Sequence, residues 1–147
     1  MRYGEGQWGR VFIIRLENGE ILHQSLEKFA REKNILRAAL IVLGGADRGS
    51  KLVVGPEEER NKPIIPKEYV LPGVHEIVGV GTIFPNDEGD PVLHMHIASG
   101  RESSTITGCV RRGVKVWQVG EVILWEIKGT NARRLIDKDT QLELLEP

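Results

Sequence analysis

With one cysteine in 147 residues, the chain cannot close an intrachain disulfide, so packing and hydrogen bonding must hold it together. Aromatic residues make up only 5 %, and no apolar run approaches the roughly 18 residues of a membrane span. No basic segment followed by an apolar stretch opens the chain, so the cytoplasm is the expected compartment and no membrane partner is expected. A formal net charge of −1 gives no general attraction to phosphate backbones, and nucleic-acid contact would need a local basic patch. Fixed-period repeats, low-complexity tracts and linkers are lacking as well. The 40 % hydrophobic and 28 % charged residues describe one ordinary globular domain over residues 1–147, with a core from about residue 10 to residue 145.

Short apolar stretches separated by turn residues dominate the chain. Arg10–Leu16 reads as a strand, ended by Glu17-Asn18-Gly19-Glu20. From Ile21 to Lys33 the period becomes helical, with Leu22, Leu26, Phe29 and Ala30 on one stripe and Asn34 as the stop. His23 lies at the edge of that stripe as a boundary residue. Strands are expected at Ala38–Gly45, Lys51–Val54, Val74–Phe84 and Val114–Ile127, the last either continuous or broken near Gly120. Gly55–Pro66 reads as a charged surface loop, Asn131–Asp137 as one helical turn, and Gln141–Leu145 as a terminal strand. Gly79 and Gly81 share a strand face, where something bulky can approach the backbone. Many strands with one main helix predict an α+β fold built on a mostly antiparallel β-sheet.

Pro91–Arg101 concentrates the chemistry. Alternate side chains on a strand share a face, so His94 and His96 point the same way, about 6.6 Å apart along the strand. If Arg101–Ser104 closes a four-residue hairpin loop, Gly100 pairs with Thr105 and His96 lies opposite Cys109. Two imidazoles and a thiol then share one face, while Leu93, Met95, Ile97, Ile106 and Val110 take the other. A loop one residue longer or shorter would turn Cys109 to the apolar side. His, His and Cys suit a transition metal, zinc first, and three ligands leave one position open. His75 is a candidate fourth ligand.

Asn18-Gly19-Glu20 before a helix ending Phe29-Ala30-Arg31-Glu32, Glu76-Ile77, Gly81-Thr82, His94-Met95-His96, Gly108 and Glu121-Val122 together resemble the PPC domain. This domain is found alone in prokaryotes and beside AT-hooks in plant nuclear proteins. The resemblance covers about Arg10 to Leu145. It implies an antiparallel-sheet domain assembled as a homotrimer, with a metal-associated histidine cluster whose first two positions match His94 and His96. Cys109 stands where the third histidine is expected. The Arg-Gly-Arg-Pro hook through which plant relatives contact AT-rich DNA is missing here.

Three functions compete on these grounds. The leading one is a homotrimeric binding module holding a zinc-like ion through His94, His96 and Cys109. A DNA-associated regulatory protein is the second, its trimer-repeated patch formed by Arg111, Arg112 and Lys115, with Arg133 and Arg134 nearby. The third is a metal-dependent hydrolase of unknown substrate, in which Glu76 or Glu102 serves as base and Arg101 holds an anionic substrate. No recognised metalloenzyme motif supports catalysis, so a non-enzymatic role is favoured. A sheet with few covering helices, Gly-rich strands and three tryptophans also calls for a partner copy.

Overall fold

The central strand of the sheet, β5 (His75–Pro85), places its odd-numbered residues in the core and its even-numbered residues on the opposite face. In this computed structural model, which describes residues 1–59 and 63–147, β5 lies between β2 (Ala38–Ala46) and β6 (Pro91–Arg101). Beyond β2 come β8 (Val116–Lys128) and β1 (Gln7–Glu17). Beyond β6 come β7 (Ser104–Cys109), β3 (Lys51–Pro56) and β4 (Pro66–Val70). All neighbours in this eight-stranded sheet are antiparallel, as the alternating patterns require. A separate hairpin of β9 (Arg133–Ile136) and β10 (Glu143–Glu146) closes the chain.

One helix, α1 (Leu22–Glu32), covers one face of the sheet. Its stripe of Leu22, Leu26 and Ala30 is fully buried against Leu40, Val42, Met95, Ile97, Val122 and Leu124. Asn34 adopts φ +53°, and the Ile35 and Asn34 N–H groups donate to the Ala30 and Arg31 carbonyls. These bonds are the Schellman pair, so the asparagine stops the helix where its left-handed tolerance allows the reversal. At the other end the N-cap, Ile21, offers no side-chain hydrogen bond, and Glu20 before it accepts from Glu17 N–H and from Ser25 Oγ.

The close approach expected at Gly79 and Gly81 is the packing of β6 itself. A Cβ on Gly79 would lie 2.5 Å from Ile97 Cγ2 and from His96 O, and one on Gly81 would lie 2.7 Å from Met95 Cβ.

Three expectations change, and one left open is decided. The β5–β6 side of the sheet continues through a tighter hairpin than four residues: Arg101 pairs with Ser104, so only Glu102 and Ser103 form the turn, with Glu102 at φ +55°. Asn131–Asp137 holds strand β9 rather than a helical turn, because pairing with β10 satisfies its backbone. Within the predicted loop, β3 runs through Pro56 and β4 starts at Pro66; residues 60–62 lie outside the described residues. Finally, β8 is a single strand whose ladder skips Gln118 and Val119 in a bulge opposite Gly44 and Gly45. Gln118 takes φ +63° there, and Trp117 and Trp125 keep a common face.

On the face away from α1 the β9–β10 hairpin meets β5 at Thr82 and Phe84, and among the described residues much of the remainder is exposed. Across β6, β5, β2, β8 and β1, His96, Val80, Ile41, Ile123 and Ile13 are successive cross-strand neighbours. Val80 is 65 % exposed and Ile13 89 %, with Leu43 and Val78 also exposed beside them.

Candidate metal centre

The register of two hairpins builds the site. The Asn86 side chain accepts from the Glu88 and Asp90 N–H groups, and Gly89 at φ +87° reverses the chain, which fixes β5 against β6 with Thr82 opposite His94 and Val80 opposite His96. The β6–β7 hairpin then pairs His96 with Cys109. Gly108 allows the next contact, since a Cβ there would lie 2.7 Å from the Val53 carbonyl of β3.

The outcome is the predicted cluster. The donor atoms of His94, His96 and Cys109 all lie within 4.8 Å of one another. The two Nε2 atoms are 3.2 Å apart, with the rings edge to face. Tetrahedral Zn–N bonds of 2.0–2.1 Å place two nitrogens about 3.3 Å apart, so the imidazoles already have the separation of ligands on one ion. Two nitrogens and one sulfur are also the donor chemistry zinc accepts. The histidines are exposed while Cys109 is 2 % exposed, so the cluster opens to solvent on its imidazole side.

The electrostatics prepare the sulfur. Burial pushes the Cys109 thiol up, but hydrogen bonds involving His94 and Arg111, together with the Arg111 charge, more than reverse this and bring it down to about 6. Arg111 follows Cys109 in a 3-10 turn, Val110–Arg112, and its Nε donates to Cys109 Sγ at 3.3 Å. His96 is pulled below its ordinary value by burial, then by His94 and Arg111, which keeps it neutral and its lone pair available.

The sequence-predicted accessory groups lie elsewhere. His75 is on the core face of β5, its Nδ1 2.9 Å from the Gly73 carbonyl, and cannot join a cluster on the opposite face. Glu76 shares the histidine face but pairs with Gly100, four residues along β6 from His96, about 13 Å away. Arg101 donates to the Val74 carbonyl and Glu102 sits beside it at the hairpin tip. Glu76, Arg101 and Glu102 therefore surround a different surface depression, apart from the cluster.

The expected basic patch is largely engaged internally. Arg111 serves the sulfur, Arg112 pairs with Glu68 at 3.0 Å, and Lys115 pairs with Asp47 at 2.6 Å. Arg134 is buried, while Arg133 is exposed. The sequence reads Arg111 as part of a candidate DNA-contact patch with Arg134 nearby, and carries no signal of their contacts with Cys109 and Thr82.

Residues 3–128 match the Plants and Prokaryotes Conserved domain. The chain belongs to this family. Among solved PPC-like structures, a metal-containing protein from Archaeoglobus fulgidus is similar at 25 % identity and TM-score 0.85, with 100 % of both chains covered. A plant- and prokaryote-conserved protein from Pyrococcus horikoshii follows at 26 % identity and TM-score 0.82, covering 98 % of this chain and 99 % of its own. A candidate DNA-binding protein from Bacteroides thetaiotaomicron shares the fold at 20 % identity and TM-score 0.76, over 96 % of each chain. No curated protein matches the chain. The PPC fold of this chain is thus a mostly antiparallel sheet with one main helix, and none of its helices among the described residues is long and apolar enough to cross a membrane.

Proposed function

We propose that this PPC chain is a homotrimeric module that holds a transition-metal ion, zinc-like in its preferences, through His94, His96 and Cys109. The observation that carries the reading is the convergence of two imidazole nitrogens and a sulfur within 4.8 Å, on a register that the β6–β7 hairpin enforces. The metal-containing description of the Archaeoglobus fulgidus protein points the same way. Cys109 replaces the histidine expected at the third position, and its lowered thiol keeps that substitution compatible with a cation. When bound, such an ion would supply Lewis acidity at an open position. The chain's own residues supply two neutral donors, one anionic donor and a guanidinium that steadies the sulfur.

Assembly is supported by the exposed apolar stretch of the sheet. It begins at His96 and runs to Ile13, so a partner copy covering it would border the metal centre. The family resemblance supplies the number three. A DNA-associated role is favoured less, because Arg111, Arg112 and Lys115 already have partners within the chain. A hydrolase is favoured less as well, since Glu76, Glu102 and Arg101 lie away from the cluster.

The test is metal analysis of protein purified without a histidine tag. About one zinc-like ion per chain is expected, and a His94→Ala, His96→Ala double variant should lose it while keeping its fold. A wild-type protein that takes up no transition metal from a zinc, cobalt or nickel mixture would overturn the proposal.

A further inference from the structure

Next to His94 the surface opens into a cavity of about 320 Å³, at the lower end of the size of small-molecule sites. Two guanidinium groups line it, Arg111 from the turn after β7 and Arg134 from β9. Arg134 is only 4 % exposed. Its Nη2 donates to Thr82 Oγ1 at 3.0 Å, and Thr82 is the residue directly opposite His94 on β5. Its guanidinium carbon lies 5.9 Å from the centre of the Phe84 ring. These contacts hold the group in place, yet its buried Nε has no hydrogen-bond partner.

A buried guanidinium normally faces a carboxylate. Here no described carboxylate forms a salt bridge with Arg134, while Arg111, which is exposed, spends its Nε on the Cys109 sulfur. Two acidic residues do border the cavity. Glu27 accepts from the Leu93 N–H, and Glu143 faces Arg134 only at longer range. Burial lowers the affinity of Arg134 for its proton, Glu143 and Cys109 partly offset this, and repulsion from Arg111 adds to it. His23 lines the same cavity, with an unpartnered Nδ1 of its own. Val92, Leu142 and Leu144 provide apolar wall.

We propose that this cavity binds a small organic anion, its carboxylate or phosphate head on Arg134 and Arg111 and its short apolar body against Val92, Leu142 and Leu144. An oxyanion relieves the repulsion of the two cations and matches the planar donor edge that arginine presents, with Arg111 sharing its charge between the ligand and the Cys109 sulfur. The site stands on the two arginines and the cavity and exists with or without a metal. Because His94 belongs to both, an anion head seated there lies beside the open side of the metal centre.

Calorimetric titration of the metal-free protein at low salt tests this, with butyrate, butyl phosphate and the neutral analogue butyramide as probes. One saturable site per chain is expected for at least one anion, and none for butyramide. Binding of butyrate alone assigns a carboxylate ligand, and binding of butyl phosphate alone a phosphoryl ligand; either supports the site. Arg134→Met should weaken binding at least about tenfold, the loss of one charge-assisted contact. Leu142→Trp keeps both arginines and fills the cavity, so it should block binding too; it decides the matter if Arg134→Met does not fold. The proposal is overturned if neither anion binds saturably, or if binding survives in a folded Arg134→Met or Leu142→Trp protein. Repeating the titration after addition of zinc reads the metal separately, so failure of the metal site leaves the anion result intact.

Discussion

His96 and Cys109 are directly opposed on β6 and β7, so the backbone ladder itself carries the thiol to the imidazoles. The sulfur is buried, which pushes the thiol up, but His94 and the Arg111 Nε that donates to it lower it by more, and the net effect draws it from 9.0 to about 6. In metal-free protein the thiolate should therefore predominate above about pH 6, and ultraviolet absorbance of the thiolate should titrate with that midpoint. Arg111→Gln removes a hydrogen bond and a positive charge, so the midpoint should rise. A wild-type midpoint near that of a free thiol would show that Arg111 and His94 do not act on the sulfur as the geometry indicates.

The exposed apolar stretch of the sheet makes a prediction about assembly. Ile13 and Val78 are exposed in the single chain, so acidic replacements there cost little folding energy in a monomer. Ile13→Glu combined with Val78→Glu should leave the circular dichroism spectrum intact while light scattering falls from three times the chain mass to one. Retention of the oligomer would place the interface on another surface.

Glu126 contributes to stability on the acid side. It is nearly buried, and Arg10 binds both of its oxygens at 2.8 and 2.9 Å while the Arg10 N–H adds a third bond. These hydrogen bonds outweigh burial and lower its carboxyl from 4.5 to about 2. A depressed carboxyl stabilises the fold fully above its unfolded value, and that contribution is lost as pH falls through the folded one. Wild-type melting temperature should therefore drop between about pH 4.5 and 2 by more than that of Glu126→Gln, which lacks the linkage. Parallel pH profiles for the two proteins would contradict it.

Gly79 of β5 and Gly100 of β6 separate close packing from simple flexibility. Gly79→Ala forces a methyl against Ile97 and the His96 carbonyl, an overpacking expected to cost about 1–3 kcal/mol in urea denaturation. Gly100→Ala on β6 is the control, because its nearest neighbour, Thr105 Oγ1, is at an ordinary 3.5 Å. Since His96 supplies the crowded carbonyl, Gly79→Ala should also weaken metal uptake, measured by competition with a chromogenic chelator. Equal stability of the two variants would remove the packing role assigned to Gly79.

Local rules suffice for elements whose burial pattern repeats along the chain. The stripe Leu22, Leu26, Ala30 and the stop at Asn34 specify α1 with little outside help. Alternation in Leu93–Ile97 specifies β6 in the same way. Strand β9 escaped because Arg133–Ile136 is short and mixed, and only its partner β10 makes it extended. The weakly patterned Pro66–Val70 became β4 through pairing with β3, again a non-local cause.

The sequence by itself determined that His94 and His96 share a face and that a helix covers one side of an antiparallel sheet, because both follow from the 2.0 and 3.6 residue periods of single elements. Only the tertiary structure decided the rest. Whether Cys109 joins the histidines depends on a hairpin register that one residue would invert, and the place of His75 depends on which face of β5 meets the core. Arg134, from a hairpin some forty residues beyond His94 and about fifty beyond Thr82, reaches their neighbourhood only when β9 docks on β5. No period along the chain records which residues of distant strands will be opposed, because register and docking are set by closing loops between them.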